Sequence, residues 1–306
     1  MPASAATINT TLTNYAQGFS QDRANTLASF IAPVVPTGVA HSQFKRYSEK
    51  NDFVTYDTSR AIGGERRRID FAADDPFFNC TPQGLEVTID DHERELAGPN
   101  RVNLEQAKIR TVIDACHRSH EAKVFAAIKA AKAATGSVGV WSNPANNDPI
   151  DEIDAEIEAI VNATGTMPNR MVIGLAAWRA IKRHSKVIAR QPGAKVVTLD
   201  TSILGGMLLN PDIEIRVGVM SRDQAKTGAA ANKANIVGAE VFIFIGTDTP
   251  TQYDASFAKT FSVDGSLIGA VKEYRAERNA SDVYAVDWSE DIQVVAPAAG
   301  RRITLS

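Results

Sequence analysis

The sequence predicts an α+β fold. Three observations carry this: one long helical pattern of period 3.6, strand patterns of period two on either side of it, and no regular helix–strand alternation of the kind a doubly wound sheet requires. No internal repeat is visible.

The helical pattern runs from about Val102 to Ala134, with Ile109, Val112, Ile113, Cys116, Val124 and Ile128 on one stripe. At 1.5 Å per residue this helix is about 50 Å long. That matches the roughly 50 Å diameter of a compact chain of this length. It reads as a spine, introduced by the Gly98-Pro99-Asn100 break.

Before it, residues 1–39 are rich in Thr, Ala and Asn and read as an extended arm with one short helix near Gln21 to Phe30. Pro33 and Pro36 rule out a regular helix or a central strand there. From His41 to Asp91 strand follows strand, clearest at Ile69-Asp-Phe71 and Leu85-Glu-Val87-Thr-Ile89. About a third of Ser42 to Gly84 is apolar, below the ~45–50% of a globular domain. As a hairpin this stretch reaches roughly 70–80 Å, longer than the body that carries it. The expectation is an arm without a core of its own, completed by neighbouring copies.

After the spine, Asp148-Pro149 is a helix start and Gly165 a stop, with Ile150, Ile153, Ile157, Ile160 and Val161 as the apolar stripe. Met171 to Ile173 reads as a strand, and Leu175 to His184 as an amphipathic helix. Ile213 to Val219 is a half-buried strand, 221–238 an exposed mobile loop, and Val241 to Ile245 a buried strand. Further strands are expected around Thr260–Val263, Leu267–Tyr274, Val283–Asp287 and Ile292–Ala296.

Composition narrows the function classes. The 306 residues carry 33 Lys+Arg against 36 Asp+Glu, a net charge of −3, which argues against tight nucleic-acid binding. Cys80 and Cys116 are too few and too far apart for a disulfide framework. The first residues lack the charged and apolar regions of a secretory signal, and no apolar run approaches the ~20 residues that span a bilayer.

Candidate chemistry is sparse. Cys116 and His120 lie one turn apart with Asp114 and His117 beside them, the spacing a thiolate and its base would need. Mid-helix is nevertheless a poor place to admit substrate, and a buried stripe explains the cysteine better. His117, His120 and Glu121 have helical metal-ligand spacing but lack the zinc-protease pattern. Asp148, Asp151, Asp154, Glu152 and Glu156 lack the central Gly and closing Glu of a calcium loop and read as a solvated helix face. Gly63-Gly64 before Glu65, Arg66, Arg67 and Arg68 fits no phosphate loop. These four charged residues are the inter-subunit contact candidates, because arginine pairs with carboxylates in a fixed geometry. No catalytic, cofactor or metal residues are assigned.

The order of arm, charged strand-loop, spine helix, α/β module and closing strands resembles the major capsid proteins of tailed bacteriophages, with the Hong Kong 97-type fold shared by encapsulin shells. The phrases that carry the resemblance are Ala32-Pro-Val-Val-Pro36, the run from Met167-Pro-Asn-Arg to Trp178-Arg-Ala-Ile-Lys182, and Asp282 to Trp288 followed by Val294 to Gly300 and Ile303. It implies an N-terminal arm at 1–39, an extended E-loop at 40–94, a P-domain with the spine helix at 95–140, an axial A-domain at 141–270, and closing P-domain strands at 271–306. It also implies self-assembly as pentamers and hexamers of an icosahedral virion shell around double-stranded DNA, without sequence-specific binding, cofactor or membrane. Portal and decoration proteins are implied partners, and the host cytoplasm the place of assembly. An E-loop starting near residue 40 leaves no room for a fused scaffolding domain, so a separate scaffolding protein or none is expected. The alternatives are an encapsulin-like cellular shell of the same fold, or a soluble hydrolase using Cys116 and His120.

Overall fold

The computed structural model describes residues 7–22, 26–44, 46–47, 58–60, 62–66, 73–134, 141, 147–190, 199–225, 228–254, 256–266 and 270–305. The spine helix runs Arg101–Ala131, 31 residues. A short helix, Asp91–Ala97, leads into it, capped by the Asp90 carboxylate, which accepts from the His92 N–H at 2.8 Å. Gly98, at φ 48°, then turns the chain.

The spine's single apolar stripe is shared between two cores. Its first half, Ile109, Val112, Ile113 and Cys116, packs with Ile89, Tyr284, Val286 and Trp288. Its second half, Val124, Phe125 and Ile128, packs with Phe30, Val172, Phe242 and Phe244.

The first core lies under a six-stranded sheet built around one long strand, Ser281–Val294. That strand pairs antiparallel with Val271–Ala276, with Ala258–Ser262, and over ten residues with the returning strand Thr81–Asp90, in register Ser281↔Asp90 through Glu290↔Thr81. Val34–Pro36 adds a parallel edge strand, the place in a sheet that tolerates proline. Two strands were expected where this one runs unbroken. The polar residues that read as a break each have a partner. The Ser289 hydroxyl accepts from the Val263 N–H at 3.1 Å, the Asp291 carboxylate accepts from the Asn79 N–H at 2.8 Å, and Glu290 turns inward to the spine.

The second core covers one face of a four-stranded sheet ordered Gly300–Thr304, Glu240–Phe244, Arg170–Gly174, Glu214–Gly218, with only the last pair parallel. Helix Pro149–Thr164 has the predicted ends: the Asp148 carboxylate accepts from the Ile150 N–H at 3.2 Å, and Gly165 closes it at φ 66°. On the sheet's other face a third core forms, with Ile150, Ile153, Ile157 and Ile160 buried against Met171, Ile173, Val241, Ile243 and Ile303. Gly174 is required where it stands, since a Cβ there would lie 1.9 Å from the Gly238 carbonyl oxygen. Arg302 locks this sheet to the spine: it pairs with Glu240 at 2.9 Å and donates to the carbonyls of Lys129 and Lys132 at 3.4 and 3.2 Å.

Three expectations are corrected. The N-terminal segment is not mainly extended. It forms a 13-residue helix, Thr10–Asp22, with Leu12 and Ala16 buried beside the spine and the Asn9 side chain capping Leu12 at 3.0 Å, followed by a short helix Leu27–Ile31. The segment 221–238 is not a plain loop, since Ser221–Asp223 and Lys233–Asn235 pair as a hairpin. The arm does have a core at its root: His41–Gln43 pairs with Phe77–Asn79, and Phe44 and Phe78 are buried with Val35, Val295 and Phe261. The Phe78 and Phe261 rings stack at 4.6 Å. Aromatic residues at the two ends of the low-apolar stretch build this core across a long sequence separation, so local composition does not show it. The strand expected at Ile69–Phe71 lies outside the described residues.

Candidate functional site

The arm's returning strand, the long strand and the spine helix meet at Glu290. Tyr284, Val286, Trp288 and Glu290 alternate onto the same face of the long strand, which places a carboxylate on an apolar wall. Glu290 is 4% exposed. Its carboxylate receives the Lys123 ammonium at 2.5 Å and contacts the His120 Nδ1 at 2.6 Å, and the same ammonium donates to the Gln83 carbonyl of the returning strand at 2.9 Å. Burial acts to raise the Glu290 pKa, but the hydrogen bonds and charges of His120 and Lys123 outweigh it and hold the group down at about 2.

A second group of charges fixes the end of the returning strand. Arg275 donates to Asp91 and, at 3.1 Å, to Asp282, while Asp282 also pairs with Arg94. The helix leading into the spine is thereby tied to two strands of the sheet.

Between these clusters the surface is open. Leu85 and Val87 of the returning strand and Leu104, Ala107, Val112 and Ala115 of the spine line an apolar groove of about 480 Å³. Among the described residues the returning strand is paired on one side only. Glu65 and Arg66 are exposed beside Gly63 and Gly64, with Arg60 donating to the Gly64 carbonyl at 3.2 Å. Arg67 and Arg68 lie outside the described residues.

The titratable residues singled out by spacing serve the interior. Cys116 is 2% exposed, and burial pushes its thiol up to about 12, which keeps it protonated at neutral pH. His120 faces Glu290 rather than Cys116. Burial raises Glu121 to about 7 against the hydrogen bonds it accepts from the Leu27 and Ala28 N–H groups, so this carboxylate holds the start of the short N-terminal helix. Among the described residues no group of His, Cys, Asp and Glu has a metal-binding arrangement. The acidic helix face proves to be more than solvated. Besides capping, Asp148 and Asp151 pair with Arg190 at 2.9 and 3.1 Å, Glu152 accepts from the Trp141 indole at 2.7 Å, and Asp154 accepts from the Leu209 N–H at 2.8 Å. Sequence reasoning missed Glu290 and Lys123. The available signal was an acid in phase with buried aromatic and aliphatic residues.

The chain matches no family model. It is 24% identical over 276 residues to the major capsid protein of Burkholderia phage BcepMu, covering 85% of each chain. A phage-related protein from Bordetella bronchiseptica superposes with a TM-score of 0.76 at 22% identity, covering 98% of both chains. The mature capsid of bacteriophage PhiM1 follows at a TM-score of 0.51 and 15% identity, covering 89% of this chain and 84% of that one. The chain has the Hong Kong 97-type capsid fold. The virus-like particle of Pyrococcus furiosus shares the Hong Kong 97-type fold with it at a TM-score of 0.55 and 12% identity, over 96% of this chain and 97% of that one. At these identities the likeness establishes architecture, which alone does not assign a role.

Proposed function

We propose that this chain is the major capsid protein of a tailed bacteriophage, whose copies tile an icosahedral shell around double-stranded DNA as pentamers and hexamers. The observation that carries the reading is a likeness running along nearly the whole chain to proteins of shells, joined to a relative named as a major capsid protein. The role is structural. The buried, protonated Cys116 and the Glu290-bound His120 leave the hydrolase reading without an accessible nucleophile.

In this reading residues 40–94 form the E-loop, 95–140 and 271–306 the P-domain, and 141–270 the A-domain. The E-loop of one copy lies over the spine of the next, against the apolar groove and the one-sided returning strand. Glu65, Arg66, Arg67 and Arg68 find their counter-charges there. Obligate interfaces of this kind bury upwards of ~2,000 Å². Assembly in the host cytoplasm with a portal, and with a separate scaffolding protein or none, completes the proposal. The virus-like particle likeness keeps an encapsulin-like shell as the second reading.

The test is to express the chain alone and follow it by light scattering and negative-stain microscopy. Uniform shells, or rings of five or six subunits, are the expected outcome. A stable compact monomer or dimer would overturn the proposal. Genes for a portal and a terminase beside its own favour phage over cellular shell.

A further inference from the structure

The slight negative charge of the chain is unevenly distributed. From Leu175 to Arg190 there are five Lys and Arg residues and no Asp or Glu. The segment folds as two consecutive helices, Leu175–Arg183 and Ser185–Arg190, packed on the third core through Ala177, Ile181 and Val187. Arg190 is neutralised within the chain by Asp148 and Asp151. Arg179, Lys182, Arg183 and Lys186 have no ion pair among the described residues. Lys182 is held over the Trp178 ring at 5.6 Å, an arrangement that positions its ammonium and leaves its charge uncompensated.

Arg179, Lys182 and Arg183 line one cleft of about 740 Å³ with Leu175, Trp178 and Asn235. Asn235 belongs to the 221–235 hairpin, on which exposed Lys233 shares its face two residues along the strand. The hairpin's one acid, Asp223, accepts from the N–H groups of Ala225 and Asn232 at 2.9 Å each, so its carboxylate is turned into its own loop.

We propose that this cleft binds the phosphate backbone of duplex DNA without reading sequence. Arg179 and Arg183 stand about 6 Å apart along the helix axis. A duplex offers one negative charge per ~1.7 Å of its length, dense enough for each cation to reach a phosphate. The cleft is open and lined by long cationic side chains, so it selects charge density over shape, unlike a pocket that orients a particular peptide carboxylate. The proposal rests on the shell reading only for the source of the DNA. One weak contact per copy, repeated across a shell, holds a packaged genome by avidity while any single contact is easily broken.

The test is titration of a short labelled duplex with the full-length chain, kept below its assembly concentration, across about 50 to 200 mM salt. The wild type is expected to bind with a salt slope that falls by about two to three in R179A/K182A/R183A, at about 0.9 per lost phosphate contact, with affinity down at least tenfold at the lower salt. R179K/R183K, which keeps the charge, should restore most of the binding, and circular dichroism should show the triple variant folded. Unchanged binding in the triple variant overturns the proposal. So does a glutamate-rich peptide of matched charge binding more tightly than the duplex, which would assign the cleft to a protein partner. Shell formation is scored separately by microscopy: wild type that binds DNA without forming shells counts against the capsid reading alone, whereas a triple variant that keeps its DNA affinity and loses assembly overturns the cleft's assignment.

Discussion

The Lys123 ammonium lies 2.5 Å from the Glu290 carboxylate, joining the spine helix to the long strand across 167 residues of sequence. Gln83 shares that ammonium, so one cation ties the root of the arm to both elements. Removing the carboxylate leaves the buried His120 ring without its partner and the Lys123 ammonium without its counter-charge. Glu290→Ala should therefore cost about 3–5 kcal/mol, read as a lower denaturant midpoint at unchanged slope. A loss below about 1 kcal/mol would show that the cluster is structurally incidental.

The same carboxylate sets an acid limit. Its folded pKa of about 2 lies below the ordinary 4.5, so its contribution is complete above pH 4.5 and fades as pH falls toward 2. The span corresponds to about 3 kcal/mol. Melting temperature measured from pH 6 down to pH 2 should fall more steeply for the wild type than for Glu290→Gln, which has no such proton to gain.

Glu121 has the opposite sign. Its pKa is raised from 4.5 to about 7, so the stability it confers is present below pH 4.5 and is lost as pH rises through 7. Glu121→Gln should gain on the wild type between pH 5 and 8 in thermal melts. Parallel curves over that range would remove Glu121 as the cause of any alkaline softening.

At the root of the arm, Phe78→Ala should cost about 3–5 kcal/mol by emptying the space against Phe261. Because the aromatic cluster fixes where the arm leaves the body, proteolysis near His41 to Asn79 should accelerate while the second core stays protected. Equal protection in variant and wild type would mean that the arm is held elsewhere.

Arg66→Ala, combined with Arg67→Ala and Arg68→Ala, should abolish shell formation while changing the monomer's unfolding free energy by less than about 0.5 kcal/mol, as expected if these side chains serve the next copy and not their own chain. If the monomer unfolds first, these residues belong to the chain's own fold.

How far the fold was legible depends on whether the signal is local. The helix Pro149–Thr164 was readable at both ends because Asp148, Pro149 and Gly165 announce caps through their own chemistry. The spine was readable because its stripe repeats over many turns. The continuity of Ser281–Val294 was not, because Ser289, Glu290 and Asp291 look like a break until Val263, Lys123 and Asn79 are brought to them from far away. The helix Thr10–Asp22 was hidden for a related reason: its threonines and asparagine are weak helix formers, and packing of Leu12 and Ala16 beside the spine overrides that propensity. Of the candidate contact residues, Glu65 and Arg66 are exposed, and no residue pattern in one chain names a partner for them.

The ten-residue pairing of Thr81–Asp90 with Ser281–Glu290 has a mechanical consequence. A tension applied to the arm along the axis of its returning strand loads every rung of that ladder at once, in shear, instead of peeling one rung after another. Rupture then requires many hydrogen bonds to fail together with the Lys123 tether, whereas a pull across the strand would open it from one end. A chain with this geometry is strong along the direction in which an arm would be stretched and compliant across it.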